Sequence, residues 1–140
     1  MFRTALLLIL FACVPQHVSA RDLERGNFAL CHGSNRVTCV VDGDTIWYRG
    51  DKIRLIDINT PETSRPSCDR EAALGRRATE RLIVLLNEGP FTLESEGRDT
   101  DRYGRLLRRV TREGASLGAA LVAEGLAEEW QGRRGDWCAA

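Results

Sequence analysis

Lysine is nearly absent from this 140-residue sequence, because Lys52 is the single lysine and the other 19 basic side chains are arginines. An excess of either charge is also missing, since 20 basic and 20 acidic residues give a formal net charge of zero. This balance excludes a histone-like polycation, so recognition of an anion has to come from arginines at particular positions. Internal repeats and low-complexity tracts are missing as well, and the length suits a single domain.

The apolar run at residues 5–14 is too short for a comfortable membrane span, which needs about 20 residues. It follows Arg3 and precedes the small residues Val18-Ser19-Ala20, a pattern typical of a cleaved signal peptide. We therefore predict that residues 1–20 are a signal peptide. The protein would then be exported, to the periplasm or the extracellular medium, with no membrane attachment in its mature form. A membrane anchor and a lipoprotein attached at Cys13 are the alternatives.

A Cys-x-x-Cys motif is also absent, which argues against a zinc site or a thioredoxin-like redox centre. Of the five cysteines, Cys13 would leave with the signal peptide, and four would remain in an oxidising compartment. Four cysteines allow three disulfide pairings. We favour Cys31–Cys39, which would fasten the segment before the first strand, and Cys68–Cys138, which would tie the C-terminus to the middle of the chain.

The sequence does contain a β-rich half followed by helices and further strands. Asp42-Gly43 between two β-branched runs is a strong hairpin signal, and Arg49-Gly50-Asp51 turns the chain into a third run. An apolar repeat every three or four residues predicts a first helix, and Ser116 caps a short second one. The predicted strands are Val37–Val41, Thr45–Tyr48, Lys52–Ile56, Phe91–Glu94 and Leu106–Val110, and the predicted helices are Arg70–Leu86 and Ser116–Glu124.

These elements predict an α+β fold that is mainly β. Five strands interrupted by a helix within about 100 residues suit a small closed barrel, the five-stranded OB-fold, with one longer and one or more short helices. We assign residues 21–35 to an N-terminal extension and residues 36–140 to the OB-fold domain.

Oxygen-bearing side chains gather where the first strands end. Asp44 follows the hairpin turn, and Asn59-Thr60-Pro61-Glu62 follows the third strand. Carboxylate, amide and backbone oxygens at loop ends are the ligands that a hard cation such as Ca²⁺ needs. Turn chemistry alone explains Asp42-Gly43, but acidic residues do not improve a β-rich segment, so Asp44 and Glu62 call for another explanation.

Arginines form the second group of candidates. Arg54 interrupts the apolar run 53–58. A guanidinium at this position is explained if it binds a phosphate with two of its N–H groups. An exposed position on an edge strand is an alternative explanation of equal weight. Strict alternation of side chains along a strand would place Arg54 and Asn59 on opposite faces of the sheet, unless the strand bends before Thr60-Pro61. The loop 98–105 combines arginines with a tyrosine, which suits a phosphodiester next to a sugar or base, although charge-rich loops are more often simply solvated.

Five short motifs stand in a distinctive order and spacing. They are Asp42-Gly43-Asp44-Thr45, Arg54-Leu55, Thr60-Pro61-Glu62-Thr63, Asp101-Arg102-Tyr103-Gly104-Arg105 and Gly125-Leu126-Ala127. Together they extend over about residues 36–130 and closely resemble the staphylococcal nuclease (thermonuclease) family. The resemblance implies an OB-fold barrel that cuts DNA and RNA with one Ca²⁺ ion.

The resemblance also implies roles for single residues. Asp44 matches a direct calcium ligand, and Thr60 matches a residue that binds the ion through its backbone carbonyl. Glu62 matches the residue taken as the general base, which activates water for attack on phosphorus. Arg54 and Arg105 match the two arginines that hold the phosphate and stabilise the transition state. These roles agree with the chemistry of phosphoryl transfer, in which positioning and electrostatics dominate.

Other positions match the family less closely. Arg102 and Tyr103 match positions near the terminal phosphate of a bound nucleotide. The family's second calcium-binding aspartate falls on Asn59, which keeps an oxygen ligand but loses a charge, so weaker Ca²⁺ binding is expected. We name Asp57 as a candidate to restore that charge. Trp130 stands where the family often has tyrosines against the base, and stacking on a base and capping the barrel core are its two alternative roles.

The sequence therefore predicts an exported, monomeric, calcium-dependent nuclease that hydrolyses DNA and/or RNA with low sequence specificity. The alternative is a catalytically weak or inactive OB-fold module that binds nucleic acid, with a metal site impaired at Asn59. The set of Arg54, Glu62 and Arg105 distinguishes the two, because a binding module has no use for a general base. A third alternative, a disulfide-bonded structural domain, leaves all of these groups unexplained.

Overall fold

The computed structural model describes residues 22–139, over which the chain forms eight short strands and two helices. The signal peptide predicted at residues 1–20 lies outside the described residues. Neither of the helices within residues 22–139 has the length and apolar character that crossing a lipid bilayer requires.

The first three strands form the predicted meander: β1 is Cys39–Asp42, β2 is Thr45–Tyr48 and β3 is Asp51–Leu55. Two-residue turns join them. The first turn is Gly43-Asp44, one residue later than predicted, because Asp42 still pairs with Thr45 across the hairpin. At the second turn Arg49 and Gly50 have positive φ angles of 51° and 91°, as a favoured type of two-residue hairpin turn requires.

The remaining elements are β4 Ile58–Asn59, α1 Asp69–Asn87, β5 Thr92–Glu94, β6 Leu106–Arg112, β7 Ala115–Ser116, α2 Leu117–Ala123 and β8 Glu128–Glu129. Between β3 and β4 the chain bends at residues 56–57, as the sequence predicts for the stretch before Thr60-Pro61. Helix α1 ends just before Gly89-Pro90, and Ser116 caps α2 as predicted.

The main sheet has the strand order β1-β2-β3-β6-β5, and β7 also pairs with β6. Its central contact, between β3 and β6, is parallel and places Ile53 opposite Leu106. A separate antiparallel pair joins β4 to β8, with Asn59 opposite Glu128. The bend after β3 and the last strand of the described chain therefore meet beside the main sheet.

Residues 22–31 join the two edges of this sheet. Glu24 exchanges two backbone hydrogen bonds with Phe91, just before β5, and the end of the segment bonds to Val40 in β1. Phe28, between these contacts, is buried in the core. The predicted N-terminal extension therefore contributes to the same core as the rest of the chain, and the boundary between extension and domain stays a prediction.

The hydrophobic core lies between the sheet and α1, which packs mainly on β1 and α2. The predicted apolar stripe of α1 turns inwards, with Ala78, Leu82 and Leu86 buried. Other fully buried side chains include Val40, Ile46, Leu55, Phe91 and Leu121. The predicted α+β, mainly β fold class is confirmed, and the mixed sheet with two helices is consistent with an OB-like fold.

The structure contains both favoured disulfides, Cys31–Cys39 and Cys68–Cys138. Cys68 is also the N-cap of α1, where its Sγ accepts a hydrogen bond from the backbone N–H of Glu71 at 3.4 Å. The long bridge therefore fastens the C-terminal residues to the start of α1, next to the loop that precedes it.

Candidate active site

Asp44 occupies the second position of the turn between β1 and β2, and its carboxylate is buried. Its Oδ2 accepts a hydrogen bond from the backbone N–H of Thr60 at 3.1 Å and lies 3.2 Å from Arg54 Nη2. Its Oδ1 accepts a hydrogen bond from Thr45 Oγ1 at 3.0 Å. Asp44 in the turn thus contacts two other residues predicted for the site, Arg54 of β3 and Thr60 of the loop after β4.

Asp42 supplies a second carboxylate next to Asp44. Its Oδ1 accepts a hydrogen bond from the backbone N–H of Asp44 at 3.2 Å. Burial, and after it repulsion by the Asp44 carboxylate, raises the pKa of Asp42 to about 7. Asp42 is therefore partly protonated at neutral pH, so the two adjacent acidic side chains of this turn do not both carry a full negative charge.

Asn59 lies in β4 and is buried. Its Nδ2 donates a hydrogen bond to Glu128 Oε1 at 2.8 Å, across the β4–β8 pair. Because the amide nitrogen faces Glu128, the amide oxygen is the atom of Asn59 that can serve as a ligand. The bend at residues 56–57 brings the end of β4 next to Thr60, which contacts Asp44.

The chemistry of these donors fits a hard cation. Asp44, Asn59 and the carbonyl of Thr60 offer only oxygen, the donor type that Ca²⁺ prefers. Throughout residues 22–139, no three His, Cys, Asp or Glu side chains gather in a metal-binding arrangement. A cation at this turn would therefore be bound by few carboxylates and by neutral oxygens. This agrees with the low ligand charge that we predict from Asn59.

Asp57 has different partners. Its Oδ2 accepts a hydrogen bond from Ser116 Oγ at 2.5 Å and lies 3.8 Å from Arg109 Nε. These contacts place Asp57 at a cavity of about 730 Å³ that lies beside α2. None of these contacts involves Asp44, so the structure supplies another explanation for the Asp57 carboxylate, and its role as a calcium ligand stays a prediction.

Glu62 lies in the loop between β4 and α1, and a buried carboxylate organises this loop. Glu71, in the first turn of α1, accepts hydrogen bonds from the backbone N–H groups of Glu62 at 3.2 Å and Ser67 at 2.6 Å. The helix approaches closely at Gly75, where a Cβ would lie 2.9 Å from the Glu62 carbonyl oxygen. The Glu62 side chain is partly exposed, and its Oε1 lies 2.5 Å from Nη1 of Arg134.

Arg54 and Arg105 line one cavity of about 460 Å³. The parallel pairing of β3 with β6 explains their proximity, because Arg105 immediately precedes Leu106, which lies opposite the neighbour of Arg54. The charged lining residues are Arg54, Arg98, Arg105, Arg134, Glu96 and Asp101. This excess of arginine favours an anionic ligand, and the planar guanidinium groups match the geometry of a phosphate.

Trp130 forms part of the wall of the same cavity. Its ring centroid lies 5.9 Å from Cζ of Arg54, and the side chain is 43% exposed. This exposure argues against the core-capping role and favours contact with a ligand in the cavity.

Arg102 and Tyr103 lie at the tip of the loop that leads into β6. Tyr103 is 68% exposed, and Cζ of Arg102 and of Arg105 lie 4.8 Å and 5.6 Å from its ring centroid. The loop thus presents an aromatic ring flanked by guanidinium groups, which suits a nucleotide. Contact of Arg102 and Tyr103 with a terminal phosphate stays a prediction.

Two residues of this site have no counterpart among the sequence predictions, namely Glu71 and Arg134. The favoured Cys68–Cys138 pairing does predict that C-terminal residues lie near the start of α1. Nothing in the sequence spacing distinguishes Arg134 from Arg133, however. Glu71 gave no signal either, because an acidic residue in the first turn of a helix is common.

Comparison with known proteins gives concordant results. Residues 52–136 match the family model described as staphylococcal nuclease homologue. The chain is 44% identical over 93 residues to the SPbeta prophage-derived endonuclease YokF of Bacillus subtilis (strain 168), covering 62% of this chain and 31% of that protein. It is 42% identical over 93 residues to endonuclease YncB of the same strain, covering 62% of this chain and 43% of that protein.

A third relative is similar over a longer stretch. The chain is 30% identical over 134 residues to the thermonuclease of Staphylococcus hyicus, covering 89% of this chain and 78% of that protein. The chain therefore spans less than half the length of the two Bacillus proteins and most of the length of the staphylococcal one.

Proposed function

Because this chain belongs to the staphylococcal nuclease family, we propose that it hydrolyses phosphodiester bonds of DNA and/or RNA with low sequence specificity and with Ca²⁺ as its cofactor. The observation that carries the proposal is the position of Arg54, which lies 3.2 Å from the Asp44 carboxylate and lines the same cavity as Arg105. The predicted cation ligands and the predicted phosphate ligands therefore adjoin each other, as hydrolysis of a phosphodiester requires.

Each side chain has a chemical task in this proposal. Arg54 and Arg105 hold non-bridging oxygens of the scissile phosphate and stabilise the negative charge that grows on them in the transition state. Glu62 accepts a proton from the attacking water while the water oxygen bonds to phosphorus; the bond from phosphorus to the leaving ester oxygen breaks, and that oxygen takes up a proton from solvent. Glu71 supports Glu62 by fixing the backbone of its loop.

Asp44, Asn59 and the carbonyl of Thr60 are the residues that would hold the calcium ion. When bound, Ca²⁺ would stabilise the negative charge on the phosphate oxygens. Arg54 lies 3.2 Å from Asp44, so it offsets part of the charge of this carboxylate and keeps its remaining donors for the substrate.

Low sequence specificity follows from the types of side chain at the site. Arginines bind phosphates, which all nucleotides share, and exposed rings such as Trp130 and Tyr103 stack on any base. A single strand offers its bases to such rings, so single-stranded DNA is the first substrate to test.

The test of the proposed function is digestion of single-stranded DNA and of RNA by the oxidised chain beginning at Arg21. We expect cleavage in millimolar Ca²⁺ and none after addition of EGTA. Binding of the strand without cleavage, by a folded protein in millimolar Ca²⁺, would contradict the proposal and support the OB-fold binding module instead.

Glu62→Gln tests the proposed general base and keeps the size of the side chain. We expect it to lower the cleavage rate by at least ~10²-fold, the scale of a lost general base. Glu80→Gln, a matched change at an exposed position of α1, should cleave like the wild type. A Glu62→Gln protein of nearly wild-type activity would reject the assignment of Glu62.

We further propose that the protein is exported and acts as a monomer in the periplasm or the extracellular medium. Two disulfides support export, because disulfides persist in oxidising compartments. Expression of the full sequence in a bacterial host should yield a mature chain that begins at Arg21, outside the cytoplasm. An unprocessed cytoplasmic chain would contradict export, and light scattering of the purified protein checks the monomer.

A further inference from the structure

The C-terminal residues 130–138 cross the loop that carries Glu62. They follow β8, and the Cys68–Cys138 disulfide fastens their far end to the start of α1. Between these points the backbone N–H of Gly135 donates a hydrogen bond to Glu128 Oε1 at 2.5 Å. This segment, which we call the tail, is therefore fixed both at β8 and at the disulfide.

Arg134 is the residue that the tail brings to the cavity. Its Nη1 lies 2.5 Å from Glu62 Oε1, and its side chain lines the cavity together with Arg54 and Arg105. The preceding residue, Arg133, is exposed and does not line this cavity; it lines a neighbouring one of about 440 Å³ between β8 and the tail, to which Arg134 also contributes. The path of the tail thus distinguishes two adjacent arginines.

The setting of Arg134 repeats that of the two proposed phosphate ligands. Three of the four arginines that line the cavity have a carboxylate partner: Arg54 with Asp44 at 3.2 Å, Arg105 with Asp101 at 2.6 Å and Arg134 with Glu62 at 2.5 Å. A guanidinium has five N–H donors, so an arginine that contacts a carboxylate with one of them keeps others for a phosphate. Arg134 is also the most exposed of the three, which leaves its side chain free to turn towards a bound strand.

We propose that Arg134 is a third phosphate-binding residue, which contacts a backbone phosphate next to the scissile one, and that the Cys68–Cys138 disulfide positions it. The identification of the ligand as a polynucleotide rests on the proposed function. The exposed Arg134 side chain turns towards the bound phosphate and withdraws Nη1 from Glu62, so binding of the strand releases the Glu62 carboxylate. Arg134 therefore contributes to affinity for the strand. It leaves the Glu62 carboxylate free to act as a general base only when a substrate is bound.

The test measures binding rather than cleavage. A fluorescent single-stranded DNA oligonucleotide is titrated in EGTA at several salt concentrations, and binding is followed by fluorescence anisotropy. Arg134→Ala should weaken binding roughly tenfold, the scale of one lost charge-assisted hydrogen bond. It should also reduce the slope of log affinity against log salt by about 0.7, the value for one phosphate contact on a single strand. The matched control, Arg133→Ala, should keep the wild-type affinity and slope.

The positioning role of the disulfide is tested with the double variant Cys68→Ser/Cys138→Ser. Serine is a good N-cap, so the start of α1 is preserved, and circular dichroism verifies the fold. This variant should lose as much affinity and slope as Arg134→Ala does, and adding Arg134→Ala to it should cause no further loss. Unchanged binding by a folded double variant would overturn the positioning role.

The outcomes separate this inference from the proposed function. Cleavage by the wild type, together with wild-type or tighter binding by Arg134→Ala, would overturn the inference and leave the nuclease intact. Loss of affinity and slope in Arg134→Ala, with no cleavage by the wild type, would support the inference and reject the nuclease. No binding of the strand by the wild type, with or without cleavage, would overturn the inference.

Discussion

Asp101 holds Arg105 at two points: its Oδ2 accepts a hydrogen bond from Arg105 Nε at 2.6 Å, and its Oδ1 accepts one from the Arg105 backbone N–H at 3.0 Å. Oδ1 also accepts a hydrogen bond from the backbone N–H of Tyr103 at 2.8 Å. One carboxylate therefore orders the turn before β6 and also aims the guanidinium into the cavity. Asp101 acts as a positioning residue for the proposed phosphate ligand.

Arg105→Ala should lower the cleavage rate by at least ~10²-fold, because it removes a donor from the charge that develops in the transition state. Asp101→Asn should cost roughly tenfold, since Arg105 remains but loses its ionic anchor. Steady-state kinetics on single-stranded DNA measures both effects.

The matched control is Asp99→Asn. Asp99 lies in the same loop and contacts an arginine equally closely, at 2.6 Å, but its partner Arg108 does not line the cavity. Asp99→Asn should therefore cleave like the wild type. Equal losses of cleavage rate in Asp99→Asn and Asp101→Asn would mean that the total charge of the loop, rather than the orientation of the Arg105 side chain, affects the rate.

The Asp101–Arg105 pair also predicts how stability depends on pH. Burial acts to raise the pKa of Asp101, but the hydrogen bonds from Arg105 and Tyr103 outweigh it and hold the pKa below its ordinary value of 3.8. A carboxyl group with a lowered folded-state pKa stabilises the protein above its unfolded-state pKa. This contribution is lost as the pH falls through the folded-state pKa.

Wild type should therefore exceed Asp101→Asn in free energy of unfolding at about pH 6, and the difference should shrink as the pH falls below about 4. Denaturant unfolding at a series of pH values measures both proteins. A difference that stays constant down to about pH 2 would contradict a lowered pKa of Asp101.

Local sequence signals predicted much of this fold because the elements involved are regular and long enough to show a period. The meander follows from its β-branched runs and turn residues, and α1 follows from its apolar repeat. The β4–β8 pair could not be predicted, because two residues per strand carry no alternation. The pairing of Glu24 with Phe91 joins distant segments, and no local pattern records it.

The candidate site likewise contains residues that the sequence predicts and residues that only the tertiary structure reveals. Asp44 and Thr60 were named from their positions after predicted strands and Arg54 because it interrupts an apolar run, and in the structure Asp44 contacts both of the others. Glu71 and Arg134 act on Glu62 through the tertiary path of α1 and the tail, so their roles depend on contacts that neither spacing nor residue type reveals.

Gly43 permits the close approach of the β1–β2 turn to α1. A Cβ at this position would lie 2.7 Å from Ala78 Cβ and 2.8 Å from Thr60 Cγ2. Gly43→Ala should therefore lower the free energy of unfolding by about 1–3 kcal/mol, the cost of overpacking, and should weaken Ca²⁺ binding because Thr60 must shift.

Denaturant unfolding and a calorimetric Ca²⁺ titration measure these two effects. Gly89→Ala is the control, because a Cβ there would meet its nearest neighbour, Arg112 Nε, at an ordinary 3.6 Å. The interpretation of Gly43 as a close-packing residue is wrong if the two variants are equally stable.

Asn59, which we interpret as the counterpart of a family aspartate, is paired with Glu128 in the structure. Because Asn59 Nδ2 donates to Glu128 Oε1 at 2.8 Å, an aspartate at this buried position would face a carboxylate and lose the hydrogen bond. Without Ca²⁺, Asn59→Asp should therefore lower the free energy of unfolding by about 1–3 kcal/mol, the cost of an unpaired buried polar group.

Glu128→Gln should relieve part of this conflict, since its amide nitrogen can donate to Asp at position 59, but the hydrogen bond from the backbone N–H of Gly135 is then lost because it reaches the same Oε1. The double variant Asn59→Asp/Glu128→Gln should recover part of the stability lost by Asn59→Asp, because one of the two hydrogen bonds at Glu128 Oε1 is restored. It should also bind Ca²⁺ at least roughly tenfold more tightly than the wild type, because the site gains a negative ligand. Glu128→Gln alone is the control and should leave Ca²⁺ affinity unchanged. Calorimetric titration decides the matter: a double variant that binds Ca²⁺ no more tightly than the wild type would show that position 59 does not contribute a ligand.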